Sequence, residues 1–230
     1  MSARLVELDW QRTPMGEVTL RRRFDPLLRQ DVYEVILGDE HLMSSYFTVA
    51  EIELAHLGLD LAPDRELDVL VGGLGLGYTA RAVLEHDRVR SLVVLEAIDV
   101  VIDWHVRGLL PISAEITADP RTTLELGDFF AHVREREVTR RFDAILLDVD
   151  HTPSHHLHPS HAPFYSREGL QQLKDHLTPG GVFALWSDAL PDAAFTAVLG
   201  EVFEEVRAEV VPFDNPRTGG RSSNSIYLAR

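Results

Sequence analysis

The chain has no cysteine among its 230 residues. This absence excludes a disulfide framework, a thiolate nucleophile and a cysteine metal site. Basic residues are also scarce, because 22 lysines and arginines stand against 37 aspartates and glutamates, and the net charge is −15. The only dense basic run is Arg21–Arg23, so the sequence lacks the basic stripe that binds nucleic-acid phosphates. We therefore expect no nucleic-acid partner, and an acidic surface that mildly attracts a cationic substrate.

Long apolar runs are absent as well. None approaches the roughly 20 residues that a membrane span needs. The N-terminal residues reach Glu7 without an apolar segment of signal type. We expect a cytoplasmic protein without a membrane partner. The apolar content of 45% is ordinary for one globular domain, or for one domain with a small appendage.

The start of the chain predicts a small antiparallel β unit. Arg4–Asp9 and Asp31–Leu37 alternate between apolar and polar residues, and glycine-containing turns separate such segments. Pro63 and Asp64 mark a boundary after this unit and the helix that follows it. We predict an N-terminal β unit with a gate helix over residues 1–60 and a main domain over residues 61–230.

A helix is predicted over Val49–Leu57, between the β unit and the main domain. Thr48 stands at its N-cap, and Glu51 lies three residues further on, which is the spacing of a capping box. Gly58 is the predicted stop, because glycine commonly ends helices.

The main domain alternates apolar strands with helical segments, which predicts a Rossmann-like, mostly parallel sheet with helices on both faces. The seven predicted strands are residues 67–71, 91–96, 122–126, 142–147, 182–186, 203–211 and 225–229. The predicted helices are residues 78–86, 100–109, 129–136, 167–177 and 192–201. A loop rich in proline, glycine, asparagine and serine joins the last two strands. It is too short for a crossover helix, so the last strand is predicted to be antiparallel.

The stretch Leu67–Gly77 predicts a nucleotide site. Its buried strand is closed by Gly73, Gly75 and Gly77, and a helix follows. Glycine lets the backbone approach a ligand closely, and the first N–H groups of the helix are free to face its polar atoms. The glycine spacing differs from the dinucleotide fingerprint. A glycine-rich connection without a ligand is the alternative.

Acidic residues follow two further strands, at the sheet edge where ligands bind in such folds. Glu96 lies about twenty residues after the glycines, where a carboxylate accepts ribose hydroxyls. Asp128 is placed to accept the adenine amino hydrogens, with Phe129 against the ring. For both acids the alternative is a helix N-cap.

These segments together carry a resemblance. The glycine loop, V-V-L-E, L-G-D-F-F, F-D-A-I-L-L-D and P-G-G-V-F-A-L-W are similar to the class I S-adenosylmethionine-dependent methyltransferase fold. With the N-terminal strands and Phe47–Leu57, the chain resembles the spermidine synthase (polyamine aminopropyltransferase) family. The resemblance implies that Glu96 binds ribose, that Asp128 binds adenine, and that Asp148 is the base that deprotonates an acceptor amine. It also implies a homodimer through the N-terminal strands.

The sequence departs from the family's pattern at two places. The family's glycine loop reads G-G-G-D-G-G, and its Asp contacts the aminopropyl part of decarboxylated S-adenosylmethionine. Gly75 stands at that position, so ordinary S-adenosylmethionine, with its carboxylate, becomes acceptable. The family's D-S-x-D-P turn is replaced from Asp148 onward by D-V-D-H-T-P, in which Asp150 or His151 takes the place of the second Asp.

A histidine-rich segment follows Asp148 and is expected to overhang the acceptor pocket. Five of the chain's eleven histidines lie in it: His151, His155, His156, His158 and His161. Pro159 and Pro163 predict a loop. Three interpretations stay open: a transition-metal site, a substrate-contacting loop with His151 as acid or base, and a polar surface or dimer-contact loop. We assign no metal ligands.

The sequence therefore predicts a transferase with S-adenosylmethionine as cosubstrate and a small amine- or hydroxyl-bearing acceptor. The reaction is methyl transfer, with Asp148, Asp150 and His151 as the candidate catalytic residues. The candidate cosubstrate-binding residues are Gly73, Gly75, Gly77, Glu96, Asp128 and Phe129. One alternative is aminopropyl transfer from decarboxylated S-adenosylmethionine to a polyamine. The other is a nucleoside-binding dimeric protein without catalysis.

Overall fold

The computed structural model describes residues 5–135 and 137–230. Arg4, the first residue of the predicted segment Arg4–Asp9, and Arg136, the last residue of the predicted helix 129–136, lie outside the described residues. The chain opens with a four-stranded antiparallel sheet whose strands are neighbours in sequence order. Its strands are β1 (Leu5–Thr13), β2 (Gly16–Asp25), β3 (Gln30–Leu37) and β4 (Glu40–Ser44). Alternation along β2 buries Val18 and Leu20, which join the main hydrophobic core.

The second sheet has seven strands in the order β10-β11-β9-β8-β5-β6-β7. Its strands are β5 (Leu67–Gly72), β6 (Val89–Glu96), β7 (Thr122–Leu126), β8 (Phe142–Leu147), β9 (Leu177–Ser187), β10 (Val206–Asn215) and β11 (Gly220–Ala229). Strands β5 to β9 pair in parallel, and β11 is antiparallel to β9. The Rossmann-like sheet and its antiparallel last strand are therefore confirmed.

Helices cover both faces of this sheet. They are α1 (Val49–Leu61), α2 (Tyr78–Leu84), α3 (Asp99–Val106), α4 (Ser113–Thr117), α5 (Phe129–Val133), α6 (Arg167–Asp175) and α7 (Ala193–Gly200), with a 3-10 helix at Pro159–Tyr165. Along β5, Val69 and Val71 face one core and Leu70 faces the other. None of the helices in the described ranges is long and apolar enough to cross a membrane.

Helix α1 differs from the prediction, because it continues through Gly58 to Leu61. A Cβ at Gly58 would stand 2.6 Å from Leu146 Cδ2 and 3.3 Å from Ala184 Cβ. The glycine therefore allows the helix to lie close against the sheet, and it does not end the helix. Helix α1 spans the predicted division after residue 60 and packs on β8, β9 and β11.

The predicted loop between the last two strands is also wrong. Strands β10 and β11 form a long hairpin that pairs as far as Asn215 and Gly220. Pro212 on β10 lies opposite Ser223 on β11. Strand β10 is at the edge of the sheet, where a proline is tolerated because its missing N–H is not needed for pairing with a further strand. The extended hairpin places Phe213 and Asn224 beside the carboxyl edge of the sheet.

Candidate active site

A cavity of about 510 Å³ opens at the carboxyl ends of β5, β6 and β8. This volume lies within the range of about 300 to 1,000 Å³ that small-molecule sites occupy. The N-terminal sheet contributes Met43 to its wall, and helix α1 contributes Glu51. Trp186 and Phe213 close another side. The cavity therefore lies between the small sheet and the large one.

The glycine loop lies directly against the end of β8. Gly73 has a φ of +92°, and a Cβ there would stand 2.2 Å from the carbonyl oxygen of Asp148. The Asp148 N–H donates to the Gly72 carbonyl oxygen at 2.9 Å, which extends the pairing of β5 and β8 by one residue past the end of β8. Only glycine fits such a close approach, and the loop therefore borders Asp148.

Gly75 has no side chain, and a methionine occupies the adjacent space. The φ of Gly75 is +47°, and a Cβ at Gly75 would lie 2.3 Å from Met43 Sδ. The Gly75 carbonyl oxygen accepts a 2.9 Å hydrogen bond from His105 Nε2. Burial lowers the pKa of His105, so the ring is neutral and donates through this nitrogen. The loop conformation is thus supported by one buried histidine.

Glu96 holds the loop from the next strand. Its Oε2 accepts from the Leu74 N–H and its Oε1 from the Ile98 N–H, each at 2.9 Å. Burial raises the pKa of Glu96, and these backbone N–H groups oppose the rise. Helix α3 begins at Asp99 without a side-chain cap, so Glu96 is not its N-cap. Oε2 also accepts a longer bond from the Gly75 N–H, at 3.5 Å, so Oε1 is the oxygen that retains an acceptor position for a ligand.

Asp128 caps helix α5, as the alternative interpretation predicts. Its Oδ1 accepts from the N–H groups of Phe130 and Ala131, at 2.8 and 3.2 Å. Asp128 and Phe129 both line the cavity, and Phe129 is buried against the start of the glycine loop. The capping bonds use one carboxyl oxygen and leave the other oxygen available to a ligand.

Asp148 and Glu51 are two acidic residues that line the same cavity, Glu51 buried and Asp148 half-buried. The Thr79 hydroxyl donates to Asp148 Oδ2 at 2.9 Å and lies 3.3 Å from the backbone carbonyl oxygen of Glu51. Thr48 makes no side-chain capping bond to helix α1, so the predicted capping box is not formed. Glu51 instead faces the cavity. Sequence reasoning missed this role because the capping-box spacing explained the residue locally.

Burial dominates the electrostatics of this pair. Desolvation raises the pKa of Asp148 to about 6, against a lowering by the Thr79 hydrogen bond. Desolvation, followed by repulsion from Asp148, raises the pKa of Glu51 to about 8. A carboxylate with a pKa near neutrality is a more effective general base than an ordinary surface aspartate.

His151 lines the cavity and links its two sides. Its Nε2 lies 2.9 Å from Glu40 Oε1, on the turn that opens β4. Its Nδ1 lies 3.6 Å from Asp188 Oδ2, just after β9. His151 therefore joins the N-terminal sheet to the large sheet at the mouth of the cavity.

Asp150 does not join the other candidate catalytic residues. It is 1% exposed and does not line the cavity. Its Oδ1 accepts from the Leu157 N–H at 2.7 Å and lies 2.8 Å from His161 Nδ1, while Oδ2 accepts from the Tyr165 hydroxyl at 2.9 Å. Both oxygens are thus committed to the histidine segment, and Asp150 holds this segment in place.

Replacing Asp150 with asparagine is expected to lower the free energy of unfolding by about 2 to 3 kcal/mol, because an amide NH₂ would face groups that donate to a carboxylate. Chemical denaturation measures the change. Asp214→Asn is the matched control, since that side chain is 92% exposed and its loss is expected to change stability little. Equal effects of the two substitutions would contradict a supporting role for Asp150.

The rest of the histidine segment extends along the cavity, away from Asp148. His158 and His161 line the cavity with Phe130, and the His161 ring stacks on Phe130 at 3.8 Å. The segment therefore reaches the end formed by Asp128 and Phe129, beyond the acceptor side where we expected it. Within the described ranges no group of three histidine, aspartate or glutamate side chains is placed to hold a metal ion.

The structure brings most of the sequence-predicted residues into one cavity. The residues that line it are Gly73, Gly75, Glu96, Asp128, Phe129, Asp148 and His151. Gly77 does not line the cavity; it is the left-handed N-cap of helix α2 and packs against Ile116. Met43 and Glu51 are among the lining residues that sequence reasoning did not assign to the site. The Gly75 position carried one signal for Met43, because a lost side chain leaves space that another residue fills.

This fold defines an α/β protein of the methyltransferase-like class, with a cavity at the carboxyl edge of a seven-stranded sheet. The chain belongs to the spermine/spermidine synthase domain family, whose profile matches residues 47–191.

Individual relatives agree with the family. Putrescine N-methyltransferase 3 of Nicotiana tabacum is 28% identical over 151 residues, which are 66% of this chain and 37% of the relative. Polyamine aminopropyltransferase 2 of Pseudomonas aeruginosa is 32% identical over 158 residues, which are 64% of this chain and 43% of the relative. The matched region thus spans about two fifths of these curated relatives. The crystal structure of spermidine synthase from Thermotoga maritima has a TM-score of 0.74 at 23% identity, and the match covers 97% of this chain and 72% of that one.

Proposed function

We propose that the protein is a transferase that binds S-adenosylmethionine in this cavity and transfers its methyl group to a small amine. The observation that carries the proposal is the pair formed by Gly75 and Met43. The glycine loop lacks an acidic side chain, and the methionine fills the space into which one would project. The similarity to putrescine N-methyltransferases, which are named for methyl transfer to an amine, supports the same class of reaction.

The nucleoside end of the cavity has the groups that S-adenosylmethionine requires. Glu96 lines the cavity and keeps an acceptor position on Oε1 for a ribose hydroxyl, and Asp128 has one free carboxyl oxygen for the adenine amino group. Phe129 supplies an aromatic face beside Asp128. These roles agree with the chemistry of each side chain and with its place along the cavity.

The chemistry of transfer depends on Asp148. An alkylammonium cannot attack until it loses a proton, and the half-buried Asp148 carboxylate accepts that proton. The freed nitrogen lone pair forms the bond to the methyl carbon, the carbon–sulfur bond breaks, and sulfur keeps its electron pair. Alignment of the two substrates in the cavity supplies most of the rate enhancement, with general-base help from Asp148.

Aminopropyl transfer is the second candidate, and the similarity to a polyamine aminopropyltransferase at 32% identity favours it. Both reactions use the same displacement at a sulfonium carbon and the same base. They differ in the cosubstrate, because decarboxylated S-adenosylmethionine ends in a bare ammonium and S-adenosylmethionine carries a carboxylate as well. A glycine loop without an acid favours the carboxylated form.

Calorimetric titration with S-adenosylmethionine and with its decarboxylated form tests the proposal. We expect tighter binding of the carboxylated form by at least tenfold, about 1.4 kcal/mol. The opposite preference would support aminopropyl transfer and would require another acid to replace the one missing at Gly75. If neither compound binds, the assignment of the cavity as the S-adenosylmethionine site is overturned.

A further inference from the structure

Glu51 and Asp148 line the same cavity without a cationic partner. Glu51 is 8% exposed, and Asp148 is half-buried. Across residues 5–135 and 137–230, no arginine, lysine or histidine shifts the pKa of either carboxyl group. The Asp148 carboxyl accepts one hydrogen bond, from the Thr79 hydroxyl. Buried carboxyl groups are ordinarily paired or hydrogen-bonded, and among the described residues the Glu51 carboxyl has neither kind of partner on another residue.

Two like charges in one desolvated cavity do not ionise together near neutral pH. Desolvation raises the pKa of both groups, and repulsion from Asp148 raises the pKa of Glu51 further, so the pair retains one proton and one negative charge. The higher pKa of Glu51 places the proton on Glu51 and leaves Asp148 ionised. A cation that enters between the two carboxyl groups offsets the repulsion between two carboxylates, so Glu51 can then lose its proton.

We propose that Glu51 is a second acceptor-binding residue, which forms with Asp148 one carboxyl pair that carries a single proton until the cationic nitrogen of the acceptor enters. The proposal rests on the proposed function, and it names the acceptor as a protonated amine. A neutral hydroxyl would leave the shared proton in place, because it brings no charge to offset a second carboxylate.

The proton balance has two stages. On binding, the ammonium enters with all its protons, Glu51 releases its proton to solvent, and both carboxylates face one cation. On transfer, Asp148 takes a proton from the nitrogen, the new nitrogen–carbon bond forms, and the carbon–sulfur bond breaks with its electron pair on sulfur. Asp148 then returns its proton to solvent as the product leaves.

Proton release on binding is the direct test, because a merely structural role for Glu51 would not change it. Putrescine and 1-propylamine are titrated at pH 7 into the protein with S-adenosylmethionine, in buffers that differ in ionisation enthalpy. We expect release of about one proton per bound amine from the wild type and none from Glu51→Gln. Glu53→Gln is the matched control, since Glu53 lies on the same helix and its side chain is 40% exposed.

Carbon-13 NMR of the Glu51 carboxyl group supplies a test without any ligand. We expect this carboxyl to be largely protonated at pH 7 and its titration midpoint to fall in Asp148→Asn, because the neighbouring charge is gone. An ordinary midpoint for Glu51, equal proton release from Glu51→Gln and wild type, or failure of the wild type to bind either amine would overturn the proposal. If S-adenosylmethionine does not bind but the Glu51 midpoint is high and falls in Asp148→Asn, the shared proton stands and the proposed function fails alone.

Discussion

Asp148→Asn is expected to slow group transfer by about 10²- to 10⁴-fold, because an amide cannot accept the proton that the acceptor nitrogen must lose. The amide keeps the shape of the side chain and can still accept the Thr79 hydrogen bond. Binding of S-adenosylmethionine should therefore remain near the wild-type affinity. The measurement is the rate of S-adenosylhomocysteine formation with putrescine as the first acceptor.

The pH profile separates loss of the base from loss of structure. Only ionised Asp148 accepts a proton, so wild-type activity is expected to rise as the pH increases through its pKa of about 6. The residual activity of Asp148→Asn should lack this rise. Asp128→Asn should give the opposite pattern, with weaker cosubstrate binding and little change in the transfer step. Near-wild-type turnover by Asp148→Asn would remove Asp148 from its proposed role.

The sequence predicted the sheet and the place of the site for identifiable physical reasons. Buried parallel strands are continuous apolar runs, and the residues after them share one edge, so Gly73, Glu96, Asp128 and Asp148 converge. The glycine positions were informative because a Cβ at Gly73 would strike the backbone at Asp148. This contact joins the end of β5 to the end of β8, which are neighbours in the sheet although β6 and β7 separate them in sequence.

The errors arose where a residue had an adequate local explanation and a different tertiary one. Gly58 has the residue type of a helix stop, but its lack of a side chain serves contact with Leu146 and Ala184. Glu51 has the spacing of a capping box, but its carboxyl faces a cavity that does not exist until α1 packs on the sheet. Asp150 follows Asp148 by two residues, yet its bonds to Tyr165 and His161 turn it away from the cavity. The local sequence pattern alone does not distinguish a local role, such as a helix stop or a cap, from a tertiary contact.

Gly75→Asp combined with Met43→Ala is expected to reverse the preference between the two forms of the cosubstrate. The carboxylate of S-adenosylmethionine would face a like charge, whereas the ammonium of the decarboxylated form would gain a partner. We expect the affinity ratio to move toward the decarboxylated form by tenfold to a hundredfold, about 1.4 to 2.8 kcal/mol. Calorimetric titration of both compounds into the variant measures the ratio.

The second substitution is needed for a steric reason. A Cβ at Gly75 would lie 2.3 Å from Met43 Sδ, so aspartate alone would displace the methionine or distort the loop. The φ of +47° is one that aspartate and asparagine tolerate better than most residues. Gly75→Asn with Met43→Ala is therefore the matched control, with the same shape and no charge. If the aspartate and asparagine variants show the same affinity ratio, residue 75 does not face the carboxylate end of the cosubstrate. A difference confined to the aspartate variant would mean that the charge at this position selects which form of the sulfonium the cavity accepts, and thus which group it transfers.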